Sequence, residues 1–147
     1  MKTHTPLQRI DTWSQRQQVN AIFLLRAALG LLLWIKGFNF ISHTPALEAM
    51  IANTRFSEEA QWLAGYVTWA HLFGGVMIML GLLTRIAAII QLPILIGAVF
   101  FVHAAHGVLL VDPQQALSAL VLVLLVFFIW IGGGPVSMDR YLKTKLL

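Results

Sequence analysis

Lys36 and Asn39 stand three residues apart in an otherwise apolar run, as do His103 and His106 in a later one, so each pair shares a helix face. His71 is isolated in a third apolar run. Lysine and imidazole donate to a carbonyl oxygen, and imidazole carries protons near neutral pH. Converging at one level, these five residues suit the head of a quinone or an anion. Two histidines three apart with a third elsewhere also have the composition of a copper or zinc site, and His71 with His103 that of a bis-histidine haem. Ordinary packing competes with all of these readings, because a histidine at an interface bonds water or a carbonyl and a lysine snorkels outward. No cofactor is assigned as certain and no metal site is assigned; a quinone is the ligand these residues favour.

The elements that must position them are hydrophobic. Of the 147 residues, 59% are hydrophobic and 11% charged, against about 25% charged in a soluble domain. Such a chain cannot cover itself with a polar surface, so the expected fold is an all-α membrane protein. About 20 apolar residues cross a bilayer, and four runs approach that length: residues 21–41, 62–83, 86–105 and 116–131. The expectation is a four-helix transmembrane bundle forming a single domain over residues 1–147, up-down-up-down because the connections are short. No small-residue cleavage site follows the first run, which is expected to be retained.

Local signals mark the joints. Thr44-Pro45 opens a short interfacial helix, 46–53, between spans one and two. Ser57 is placed to cap the second span, with Glu58 and Glu59 in its first turn. Trp62, Tyr66 and Trp69 share a face there, as an interfacial aromatic belt would. Thr84-Arg85 forms a tight connection, Pro93 kinks span three, and Asp112-Pro113 starts span four. Residues 1–20 are read as either a surface helix on Leu7, Ile10 and Trp13 or a frayed basic tail. Glycines at 30 and 37, and at 74 and 81, suit close helix packing.

Cations set the orientation. Lys2, Arg9, Arg16, Arg85, Arg140, Lys143 and Lys145 fall on one side and Arg55 on the other, which places both termini in the cytoplasm. Near that side lie three polar residues of a second group, Arg26, Gln91 and Asp139. Arg26 is expected to pin the helix ends, with Asp139 as its counter-ion. The basic residues form no stripe, so nucleic acid is not an expected partner. With no cysteine there is no disulfide, thiol relay or thiolate metal site. No HExxH, nucleotide loop or nucleophile–base pair is present, and a self-contained enzyme is not expected. A channel would need a homo-oligomer to line its path.

The order and spacing of several segments carry a resemblance. LLRAALGLLLWIKG in the first run, HLFGGVMIMLGLLTR through the second, His103 closing the third and GPVSMD after the fourth resemble the DoxX family of small four-helix membrane proteins. The resemblance covers residues 21–139. It implies a bacterial inner-membrane subunit tied to quinone-linked oxidoreductase or respiratory electron transfer, in contact with lipid and other membrane subunits. The alternative it leaves open is a non-catalytic structural or assembly subunit of a larger complex. That family commonly has an acidic residue where this chain has His71, so a proton-carrying carboxylate is not implied here.

Overall fold

Long apolar runs without helix breakers propagate as helix. A computed structural model describes residues 6–102, 113–134 and 136–146, with side chains for all of these except 6–14, 101, 102, 115 and 146. Among the described residues there are six α-helices and no strand: α1 (Pro6–Ser42), α2 (Thr44–Ala52), α3 (Ala60–Leu80), α4 (Thr84–Gly97), α5 (Pro113–Ile131) and α6 (Met138–Leu146). A π-helical turn, Ala98–Val102, continues α4.

Several joints differ from the sequence expectation. The N-terminal segment is not a separate surface helix but the first part of α1, because neither Pro nor Gly interrupts residues 7–29. Glu59, not Ser57, occupies the N-cap of α3, without a side-chain cap bond. Thr54 instead closes α2, its hydroxyl donating to the Ile51 carbonyl at 2.6 Å. Thr84 and Arg85 are already helical, and the turn is Gly81–Leu83. Pro93 stays inside α4; the proposed cap Asp112 lies outside the described residues.

Small residues repeating at helical spacing set the packing. Ala60, Ala64, Thr68, His71, Gly75 and Ile78 form the buried stripe of α3. Along it α1 lies antiparallel and touching: a Cβ added at Gly30 would sit 2.5 Å from the Met79 nitrogen, and one at Gly75 would sit 2.7 Å from the Trp34 nitrogen. Gly74, one residue away and so about 100° around the helix, faces α4 instead, where Gln91 fills its space. Leu29 and Leu33 from α1, Ile78 from α3, Ala87, Ala88 and Leu95 from α4, and Val121, Leu125 and Phe128 from α5 make one core.

Arg26 closes one end of this bundle. Its side chain is 1% exposed, and the guanidinium donates to the Gly133 carbonyl and, at 3.0 Å, to that of Val136. α1 is thereby tied to the α5–α6 connection. Gly81 lies against the same guanidinium and has φ +71°, so it meets both the space limit and the left-handed backbone that a side chain resists. Asp139 acts on Arg26 as the expected counter-charge but makes no direct bond to it. Its carboxylate accepts from the Leu83 and Thr84 amides at 2.6 and 3.0 Å, capping α4 from across the turn. Two helix-start amides take the carboxylate directly, and the guanidinium donates to carbonyls.

Two helices are long and apolar enough to cross a bilayer, Gln15–Ser42 and Ala60–Leu80, while Thr84–Phe100 and Ala116–Ile131 are apolar but shorter. Leu24, Phe73, Ile89, Phe100, Val123 and Trp130 are all more than half exposed. An apolar outer surface of this extent is stable against lipid and not against water.

Candidate ligand-binding cavity

At the end of the bundle remote from Arg26, the helices part around a cavity of about 480 Å³. α1 contributes Leu32, Leu33, Lys36 and Phe40 on one face; α2 closes it with Leu47, Met50 and Ile51. α3 adds Tyr66, Val67 and His71, the Pro93–Ala98 stretch forms another wall, and Leu117, Ser118 and Val121 of α5 complete it. The lining is mainly hydrocarbon with a few polar atoms, and its volume lies within the 300–1,000 Å³ usual for small-molecule sites. Among the described residues, no carboxylate lines it, and Lys36 is the single cation that does.

Helical geometry brings Lys36 and His71 to one space. Gly37 presses on α3, where its added Cβ would lie 3.1 Å from the His71 Cβ. That contact brings the next-door Lys36 to the rim of the cavity that His71 faces. His71 is 5% exposed, and its Nδ1 lies 2.8 Å from the Val67 carbonyl one turn back. A carbonyl only accepts, so Nδ1 carries the hydrogen and Nε2 is left as the acceptor of the neutral ring. Phe40 meets the imidazole edge-to-face at 5.4 Å, fixing its plane.

The other expected members of the set divide. Asn39 is exposed and lies outside the cavity; its backbone carbonyl accepts from His43, from the amide at 3.0 Å and from Nδ1 at 3.1 Å. His103 and His106 lie outside the described residues. Among the described residues no three His, Asp or Glu side chains are grouped to hold a metal ion, so a copper or zinc site would have to be completed by those two histidines. Gln91 is fully buried but belongs to the α3–α4 contact: Nε2 donates to the Ala70 carbonyl at 2.6 Å, and Oε1 has no partner among the described residues.

Gln91→Leu is therefore expected to leave stability unchanged or raise it by about 1 kcal/mol. The lost bond, worth about 1 kcal/mol, is offset by removing a buried orphan acceptor. Thermal unfolding of the purified protein followed by helicity checks this. A fall above about 2 kcal/mol would mean that Oε1 has a partner, such as a buried water.

Sequence reasoning overlooked Tyr66, Phe40 and α2 as parts of the site. Phe40 was legible as one turn beyond Lys36 on the same face. Sequence spacing puts Tyr66 in the aromatic belt, and its ring does stack on Trp62 at 5.8 Å. Its hydroxyl nevertheless reaches across to the Ile90 carbonyl at 3.5 Å, and it also lines the cavity.

No curated protein and no solved structure matches this chain. Residues 21–104, which carry Lys36, Phe40 and His71, match the family model described as DoxX, over more than half of the chain. With two helices able to cross a bilayer and this match, the chain belongs to the DoxX family, a membrane family often linked to oxidoreductase-related functions.

Proposed function

We propose that this chain is a four-span subunit of the bacterial inner membrane, both termini cytoplasmic, that holds a quinone for a partner oxidoreductase. The observation that carries this reading is the shared cavity of Lys36 and His71: an apolar chamber with one donor cation and one imidazole acceptor. A quinone supplies two-electron, two-proton chemistry when bound. Its head fits the residue types present. The Lys36 ammonium suits a ring carbonyl oxygen, and the His71 Nε2 lone pair suits the hydroxyl of the reduced form, from which it accepts a proton. The alkyl lining suits an isoprenoid chain. Electrons must come from a partner subunit, since the chain's side chains offer no two-electron redox group.

Purified full-length protein is expected to retain quinone on organic extraction and chromatography. Lys36→Met is expected to lower the retained amount roughly 10–100-fold, the worth of one hydrogen bond to a charged group at about 1.5–3 kcal/mol. His71→Leu should lower it about tenfold, with helicity unchanged in both variants. Wild type that retains no quinone, and whose tryptophan fluorescence is not quenched by an added short-chain quinone, would overturn the reading and favour an assembly subunit. Undiminished retention in both variants would place the ligand elsewhere.

A further inference from the structure

α6 has no role in the cavity, and the family match ends before it. Its start is bolted down. The Asp139 amide donates to the Gly81 carbonyl at 3.1 Å, its carboxylate caps α4, and Arg26 holds Val136 just upstream. Beyond that anchor the helix packs on nothing that buries it: Met138, Tyr141 and Leu142 are 51%, 57% and 37% exposed. At 100° per residue these three fall on one side, while Arg140 and Lys143 fall on the other. Lys145, seven residues after Met138, falls on the apolar side near the helix end, its ammonium 5.8 Å over the Tyr141 ring, where its long stem lets the charge reach outward. Asp139 is engaged in capping, so the free charge of the helix is positive throughout.

The level of this helix is marked independently. Trp130, at the end of α5, is 83% exposed, and its carbonyl accepts from the Arg85 guanidinium at 3.2 Å. An outward Trp beside an exposed Arg, at the edge of an apolar surface, is the pattern of the headgroup layer. A short helix at that depth, with an apolar side and a basic side, lies in the interface plane.

From this placement we infer that α6 docks on the membrane surface and binds anionic phospholipid: Met138, Tyr141 and Leu142 enter the acyl boundary while Arg140, Lys143 and Lys145, with Arg85 beside them, take lipid phosphates. Charge complementarity and continuity with the lipid-facing surface select this occupant over a second copy or a protein groove. Each cation near an anionic surface is worth roughly a five-fold preference.

Because the chain has no cysteine, Leu142→Cys in the full-length protein accepts a single environment-sensitive fluorophore. In nanodiscs of phosphatidylcholine with phosphatidylglycerol, the label is expected to emit blue-shifted and shielded from aqueous quencher. Shielding should weaken without phosphatidylglycerol, at high salt, or with Arg140, Lys143 and Lys145 all changed to glutamine. Those substitutions touch only exposed side chains and leave the Asp139 cap in place. Three results would each overturn the inference: a water-exposed label in both lipids, shielding independent of lipid charge, or shielding in lipid-free detergent that rises with protein concentration, which would assign the face to a second copy.

Discussion

Replacing Arg26 with alanine is expected to destabilise the protein by about 3–5 kcal/mol, from two charge-assisted hydrogen bonds each worth roughly 1.5–3 kcal/mol. The guanidinium is 1% exposed and serves the carbonyls of Gly133 and Val136 on a connection more than 100 residues away in sequence. Its removal leaves both carbonyls short of a donor and the space beside Gly81 empty. Arg26→Lys keeps the charge and loses the fork, so it should recover less than half of the loss. Denaturant or thermal unfolding in detergent, read by helicity, measures this. A cost below about 1 kcal/mol for Arg26→Ala, the scale of an exposed ion, would show that the guanidinium lies in water.

The second large effect is steric. Gly30→Ala should cost about 3 kcal/mol or abolish folding, at or beyond the upper end of the usual range for overpacking. The new Cβ would meet the Met79 nitrogen at 2.5 Å and the Gly75 carbonyl oxygen at 2.6 Å. Both are backbone atoms and cannot rotate away, so α1 and α3 would have to separate along their whole contact. Gly65 provides the control: nothing lies within 4 Å of a Cβ there, and Gly65→Ala in the interior of α3 should stabilise by about 0.5–1 kcal/mol. Equal stability of the two variants would sink the close-contact argument. Gly65→Ala leaves the cavity lining untouched, so quinone retention per folded molecule should stay the same in that variant.

The helical segments were largely legible in the sequence, and the reason is solvent. In lipid a backbone must satisfy its own hydrogen bonds, so an apolar run without breakers has one conformation available to it. Composition and run length therefore determined the all-helical class, α3, α4 and α5 within a few residues, the end of α1 but not its start at Pro6, and α2 from Thr44-Pro45. α6 was missed because MDRYLKTKL is too short and polar for the same test; it is held by the Asp139 cap, a contact across 56 residues.

Only the tertiary structure decided which polar residues meet. Sequence spacing places Lys36 and Asn39 on one helix face, yet Lys36 turns into the cavity and Asn39 outward, because Gly37 between them is pressed onto His71. Asp139 acts on Arg26 as a nearby charge while bonding to two helix-start amides, a second role that charge alone did not foretell. The adjacent glycines 74 and 75 serve different neighbours, α4 and α1, since one residue is a 100° turn. Types and periodicities along the chain determine which side chains can lie together on an element; helix rotation and close backbone contact, set by packing among four helices at once, determine which of them do.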